Sequence, residues 1–170
     1  MARSQTRSRS PKSVAKLHVS VDETTKEIVA ADITPSNAHD SKLFAALLDQ
    51  IPGEIRQVSG DGAYDTRGCY ETALQRGAIV TIPPRRKAKN HSNADGDEWR
   101  TVRNATLKQT RELGSYEWRA RSGCTRQSLA ENAVSRFKRV LGPGLSARSI
   151  ESQRAEAIVK CEISNRMTSL

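Results

Sequence analysis

The chain has 170 residues, enough for one domain, and its 28 Lys and Arg side chains exceed its 19 Asp and Glu, giving a formal net charge of +9. No segment approaches the roughly 20 apolar residues of a spanning helix, so we expect no membrane partner and favour an anionic polymer such as nucleic acid. The alternative reading of the charge is a well-solvated surface without a specific partner. The three cysteines are far apart, which predicts reduced thiols in the cytoplasm and neither a disulfide framework nor a zinc site.

The first predicted elements are a basic arm and a β-hairpin. Residues 1–15 are rich in Arg and Ser without apolar periodicity, which predicts a disordered arm. Apolar and polar residues alternate over 16–21, as in a half-buried strand, and a second apolar strand is predicted over 28–33 after a polar turn. Two adjacent strands with a short turn indicate a β-hairpin.

A helix, a strand, a second helix and a second strand follow. The first helix is predicted to begin near residues 37–40 and to end at Pro52, because its apolar residues share one helical face. A short strand is predicted over 55–59, a helix over 68–76 closed by Gly77, and a strand over 78–82 stopped by Pro83. The order β, β, α, β, α, β predicts an α/β fold with a mixed sheet.

The second half of the chain is predicted to be helical. Residues 85–98 are basic and then polar, which favours a flexible basic loop. Beyond this loop, apolar spacing predicts helices over 99–113, from Ser128 onward and over 150–167.

Asp61 is the first candidate for chemistry. It comes where a strand ends, beside glycines that allow a phosphate to approach the backbone. Cleavage of a phosphodiester by two metal ions needs carboxylates that hold the ions about 3.5 to 4 Å apart. The alternative is that Asp61 and Gly62 form an ordinary turn.

Glu131 is the second candidate, and it also has a structural alternative. Ser128 and Glu131 have the spacing of a capping box at the start of a helix. Helical spacing places Glu131, Ser135 and Lys138 on nearly one line, opposite an apolar side that includes Phe137. A carboxylate followed by a lysine two turns later can hold a metal ion and a phosphate together.

Six short motifs together resemble the DDE transposases of bacterial insertion sequences, whose catalytic domain has an RNase H-like fold. The likeness covers most of residues 16–84 and 111–169. The motifs are KLHVSVD at 16–22, AHDS at 38–41, DGAYD at 61–65, IPPR at 82–85, SLAE at 128–131 and NRM at 165–167. The resemblance implies DNA transposition, with metal-dependent cleavage and strand transfer at transposon ends.

The resemblance also assigns roles to particular residues. It implies Asp61 and Glu131 as catalytic ligands of Mg²⁺ or Mn²⁺, and Lys138 as a contact to the DNA end. Two positions depart from the family pattern, since Cys124 replaces a Tyr and Gln127 replaces an Arg. The neighbouring Arg126 is expected to supply the charge that Gln127 lacks. Arg85 and Arg86 follow a predicted strand and are expected to bind DNA phosphates.

The family's first catalytic Asp lies on a strand upstream of the segment that resembles residues 16–21. Only the basic arm precedes that segment here, so we expect a partial catalytic domain over 16–170 and an incomplete RNase H-like fold. In that fold the missing strand lies between the hairpin and the Asp61 strand. Asp22, Asp40 and Asp65 are the acids that could substitute for the missing Asp, but no pattern favours any of them. We expect Asp22 to stabilise a turn and Asp40 to start a helix.

Three hypotheses follow for the function. The first is a truncated transposase that is impaired on its own. The second is an inactive DNA-binding remnant that persists as a gene fragment or associates with full-length transposase. The third is a basic nucleic-acid-binding protein in which Asp61 and Glu131 serve only as turn and helix cap. The partners expected besides DNA are a second copy of the chain, in a homo-oligomer, or full-length transposase.

Overall fold

The structure is a computed structural model that describes residues 15–92, 96–124 and 128–168. The strands in these ranges are β1 (Ala15–Val21), β2 (Ile28–Pro35), β3 (Gln57–Ser59) and β4 (Ile79–Thr81). The helices are α1 (Phe44–Asp49), α2 (Arg67–Gln75), α3 (Glu98–Leu113), α4 (Ser115–Ser122), α5 (Ser128–Leu141) and α6 (Ile150–Arg166). The predicted order of elements is confirmed, with α4 as an additional helix. The basic arm predicted for 1–15 lies outside the described residues except for Ala15.

β1 and β2 form the predicted antiparallel hairpin, with Ala15 opposite Pro35 and a bulge at Val21. In the connecting turn, one carboxylate oxygen of Asp22 accepts the backbone N–H groups of Thr24 and Thr25 at 2.8 Å each. The Thr25 N–H contributes most to lowering the pKa of the Asp22 carboxyl below its usual value. Asp22 therefore serves the turn, as predicted.

β3 and β4 form a parallel pair that is connected through α2. Parallel neighbours need such a crossover, which α2 supplies. Both ends of α2 are capped. The Thr66 hydroxyl accepts the N–H of Cys69 at the start of α2, and Gly77, in the left-handed region at φ 68°, follows its end. The Arg76 guanidinium then joins α2 to the end of α1 by donating to the Leu48 carbonyl at 2.6 Å.

The four described strands form two separate two-stranded sheets. Within the described ranges β1 pairs with β2 and β3 pairs with β4, so the single mixed sheet expected from the sequence is not formed there. Each sheet is packed by its own helices: α5 contacts β1 and α6 contacts β2, whereas α2 contacts β4. The α/β class is confirmed, and the RNase H-like topology stays a prediction.

Two apolar clusters form the core. The first surrounds β3 and β4 and contains Phe44, Leu48, Ile55, Cys69, Tyr70, Ala73, Ala78, Val80, Ile82 and Trp99. The second lies between the hairpin and the last two helices and contains Ile28, Ala31, Ala133, Phe137 and Cys161. Helix α1 bridges the clusters, because it supplies Phe44 to the first while the Gln50 side-chain oxygen just after it accepts the Ala31 N–H of β2.

Helix α6 is fastened to the hairpin by one side chain as well as by apolar packing. The Asn165 amide donates to the Ile28 carbonyl at 2.9 Å and accepts the Ile28 N–H at 2.8 Å. These two bonds occupy both backbone polar groups of Ile28 at the start of β2, groups that would cost free energy if they were buried without partners.

Candidate active site

Asp61 lies in an exposed turn at the end of β3. It precedes the one-turn 3-10 helix Gly62–Tyr64, and its Oδ1 accepts the Ala63 N–H at 2.7 Å. This is the Asx-turn geometry that an Asp before a tight turn favours. The side chain is exposed, so its remaining acceptor positions are open to solvent. Asp61 thus forms the ordinary turn and also presents a carboxylate.

Tyr64 packs against the base of this turn. A Cβ at residue 60 would lie 3.0 Å from the Tyr64 ring, so the close packing of the ring depends on Gly60. The ring also contacts Phe44, with 5.6 Å between centroids. Burial raises the pKa of Tyr64 to about 12, and the nearby carboxylates of Asp40 and Asp61 add to the shift. The hydroxyl therefore stays protonated well above neutral pH.

Asp65 ends the turn in a buried ion pair with Arg103 of α3. The Arg103 Nε donates to Asp65 Oδ1 at 2.7 Å and its Nη2 donates to Oδ2 at 3.0 Å. The Asp65 side chain is fully buried and that of Arg103 is 8% exposed. Such a bidentate pair satisfies both charges and fixes the geometry of both segments.

Arg85, predicted to bind DNA, contacts the Asp61 turn. Its guanidinium donates to the carbonyls of Gly62 at 3.1 Å and Ala63 at 3.2 Å, and its backbone N–H donates to Asp65 Oδ2 at 3.0 Å. Arg86, the next residue, is exposed. The two arginines therefore differ in their surroundings, although the sequence predicts DNA binding for both.

The described part of the predicted flexible loop is hydrogen-bonded to α3. Arg103 Nη1 donates to the Lys89 carbonyl at 3.0 Å, and Arg111 donates to the Ala88 carbonyl at 3.1 Å. The Asn104 amide exchanges two hydrogen bonds with the backbone of His91. These contacts give the segment fixed points on α3, and its flexibility over 85–98 stays a prediction.

Glu131 lies in the first turn of α5 and Lys138 in the last. Both are exposed together with Ser135, whereas Ala133 and Phe137 are buried. The predicted orientation of the helix is confirmed. At about 1.5 Å per residue, Glu131 and Lys138 are separated by roughly 10 Å along the axis. Their side of the helix faces solvent.

The other acids near the site have structural partners. Asp40 forms an ion pair with Lys16 of β1. It lies in the first turn of the 3-10 helix Asp40–Leu43, in agreement with its predicted place at the start of a helix. Among the described residues no group of three or more His, Cys, Asp or Glu side chains is arranged to hold a metal ion. The convergence of Asp61 with Glu131 stays a prediction, and Arg126 lies outside the described residues.

Asp61 and Glu131 nevertheless fit a magnesium ion by their chemistry. Mg²⁺ prefers oxygen ligands, keeps several waters and is often held by one or two carboxylates. Both carboxylates are exposed, and the Asp61 side chain accepts one hydrogen bond from the described residues, the Ala63 N–H. Their oxygens can therefore replace water on the ion.

Sequence reasoning missed Arg103. A signal is present, because Arg103 shares the buried face of α3 with Trp99, Thr106 and Leu107. An arginine on an apolar face indicates a buried acidic partner. The spacing cannot say which acid, since Asp65 lies 38 positions away.

Comparison with known families identifies the chain. Residues 3–161 match the family model described as transposase DDE domain. The chain therefore belongs to the transposase DDE domain family, and the resemblance seen in its motifs is confirmed. This family implies DNA as substrate and divalent metal ions as cofactors. No solved structure matches the chain. None of the described helices has the length and apolarity to traverse a lipid bilayer.

Proposed function

We propose that this chain serves metal-dependent DNA cleavage and strand transfer at transposon ends, with Asp61 and Glu131 as metal ligands. The observation that carries the proposal is the Asp61 turn: an exposed carboxylate at a strand end in a chain of the DDE family. The turn is held by Arg85 and by the buried Asp65. A metal ligand needs such a fixed position because ion geometry tolerates little displacement.

The proposed metal is Mg²⁺ or Mn²⁺. When bound, the ion would polarise the phosphodiester and steady the leaving oxygen. Asp61 would offer the oxygen that the Ala63 N–H does not occupy, and Glu131 would offer an exposed carboxylate from α5. The protein's own task is to keep both oxygens in place.

DNA binding is proposed to use exposed cations near these carboxylates in the sequence. Lys138 lies two turns after Glu131 on the exposed side of α5. Arg86 is exposed next to Arg85, which is hydrogen-bonded to the Asp61 turn. With a net charge of +9, the chain can release counterions from phosphates. Such contacts give affinity that decreases steeply with salt and carry little sequence information.

We further propose that the chain alone is an impaired transposase. The nearby acids have structural partners: Asp22 the turn amides, Asp40 the Lys16 ammonium and Asp65 the Arg103 fork. A third metal-binding carboxylate would then come from a full-length transposase in a mixed complex. The second candidate function, an inactive DNA-binding remnant, has the same support from the partnered acids and the positive charge.

The test is nicking of supercoiled DNA in Mg²⁺ or Mn²⁺, with and without full-length transposase. We expect Asp61→Asn to abolish nicking, since an amide keeps the oxygen that accepts the Ala63 N–H but lacks the charge. Asp49→Asn, at an exposed position of α1, is the matched control and should nick like wild type. Nicking that survives Asp61→Asn would refute the proposal.

Binding separates the two candidate functions. Lys138→Ala should lower the slope of log affinity against log salt by about 1 if Lys138 contacts a phosphate. Arg148→Ala, an exposed arginine in the loop before α6, is the control. Salt-sensitive binding without any nicking would favour the inactive remnant.

A further inference from the structure

The Asp65 carboxylate joins three segments of the chain. It ends the Asp61 turn, accepts the forked guanidinium of Arg103 from α3, and accepts the backbone N–H of Arg85 after β4. The Asp65 carboxylate is fully buried and both of its oxygens are hydrogen-bonded, so it fixes the three segments relative to one another. The turn is therefore fixed from below by a buried group.

Arg85 holds the same turn from its exposed side. Its guanidinium donates to the carbonyls of Gly62 and Ala63, the two residues that follow Asp61. The N–H of Ala63 in turn donates to the Asp61 carboxylate at 2.7 Å. The peptide unit that orients the Asp61 side chain is thus connected directly to Arg85.

We propose that Arg85 is a positioning residue for Asp61, which acts with the buried Asp65–Arg103 pair as a clamp on residues 61–65. The inference rests on the proposed function, because it gives Arg85 the task of presenting a metal ligand. It replaces the DNA contact expected from the sequence: two of its donors are committed to backbone carbonyls. Arg86 keeps the role of a phosphate contact.

The chemistry of the clamp requires arginine. Two carbonyls on successive residues are bonded at once by the planar fork of a guanidinium, whereas a lysine ammonium is a point charge on a flexible stem. Arg85→Lys keeps the positive charge that could bind a DNA phosphate, but it removes the forked pair of hydrogen-bond donors. Arg85→Lys therefore distinguishes positioning from charge.

The first measurement is hydrogen exchange of the amides in residues 61–65, in the metal-free protein. We expect Arg85→Gln and Arg85→Lys to accelerate exchange at Ala63 by on the order of tenfold, since the loss of a guanidinium hydrogen bond loosens the turn. Arg86→Gln, which removes an exposed arginine one residue away, should leave this exchange unchanged.

The second measurement is Mn²⁺ binding, followed by electron paramagnetic resonance well below the melting temperature. We expect both Arg85 variants to weaken binding several-fold, on the order of one lost hydrogen bond, with Arg86→Gln binding like wild type. Asp61→Asn should abolish the same binding and so identifies the ion as the one held by Asp61.

The results separate the two proposals. Unchanged exchange at Ala63 in Arg85→Gln, or full recovery of wild-type exchange and Mn²⁺ binding in Arg85→Lys, would overturn the clamp. If the Asp61→Asn variant bound Mn²⁺ as tightly as the wild-type protein does, the proposed function would be contradicted. The exchange rates at Ala63 would still decide whether Arg85 holds the turn.

Discussion

Asp61 lies in a turn that is held by hydrogen bonds and a buried ion pair, whereas Glu131 lies on a helix that is held mainly by apolar packing. The Asp61 turn is connected to Arg85 and, through Asp65, to Arg103. Helix α5 is docked by Ala133 and Phe137 against the hairpin and α6. Directional bonds fix a position to a fraction of an ångström, but apolar contact is largely non-directional.

The two carboxylates of the proposed site thus depend on two kinds of force. Side chains around Asp61 set its orientation directly, while Glu131 inherits its position from the way a whole helix sits. Two hydrogen bonds of Arg136 add direction to α5, one to the Lys26 carbonyl at 3.2 Å and one to the Ser164 hydroxyl at 3.4 Å. Errors in packing around Phe137 would therefore displace Glu131 without affecting Asp61.

The largest expected effect comes from breaking the buried ion pair. Arg103→Ala leaves the Asp65 carboxylate buried without its charged partner, which should cost about 3 to 5 kcal/mol of the free energy of unfolding. The control is Arg121→Ala, because both side chains of the Arg121–Glu117 pair are largely solvent-exposed, at 65% and 46%, and such a pair should contribute about 1 kcal/mol or less. Urea denaturation measures both, and equal losses would contradict the contrast.

A somewhat smaller effect is expected from the apolar region. Phe137→Ala should lower the free energy of unfolding by about 3 kcal/mol, since it removes a buried ring from the second cluster. Hydrogen exchange should then increase in α5 while the amides of residues 61–65 keep their wild-type protection. Val140→Ala, at a position of α5 that is 41% exposed, is the control. Loss of protection in both regions would show that the two are not independent.

The smallest effect concerns acid. Glu156 of α6 accepts the N–H groups of Ala147 and Ser146, and these bonds, the Ala147 N–H first, with Lys160 adding, lower its pKa to about 2. Because the folded pKa lies below the ordinary value of about 4.3, the carboxylate stabilises the fold above pH 4.3. That contribution is lost as the pH falls from about 4.3 to 2.

Glu156→Gln tests this contribution. The variant should melt at a lower temperature than wild type at neutral pH, and the difference should shrink as the pH is lowered through the window. Because the bonded loop connects α5 to α6, acid should loosen the α5 region in the wild-type protein. A difference in melting temperature that stays constant between pH 5 and 2 would contradict the assignment.

Much of the local structure could be predicted from the sequence. Alternation over 16–21 predicted β1, and the spacing of Ala133 and Phe137 predicted which side of α5 is exposed. These features depend on neighbours within a few residues. The place of Asp61 at the end of β3 was accessible for the same reason.

The remaining features depend on residues distant in sequence. The Asp65–Arg103 pair joins positions 38 apart, and helical spacing identifies neither partner from the other. The hydrogen bonds from the Arg85 guanidinium to the Asp61 turn were not predicted. A run of basic residues predicts positive charge but gives no information on hydrogen-bond partners. The pairing of β3 with β4 could not be predicted either, since three-residue strands such as β3 carry almost no periodicity.

The two hydrogen bonds between Asn165 and Ile28 have a consequence for synthesis on the ribosome. The residues are 137 positions apart, so translation at about 5 to 20 residues per second leaves the emerging hairpin without α6 for roughly 7 to 27 seconds. Throughout that interval the apolar side of β2 lacks its covering helix. A nascent chain stalled before residue 150 should accordingly be cleaved by proteases within 15–35, where the released protein resists them.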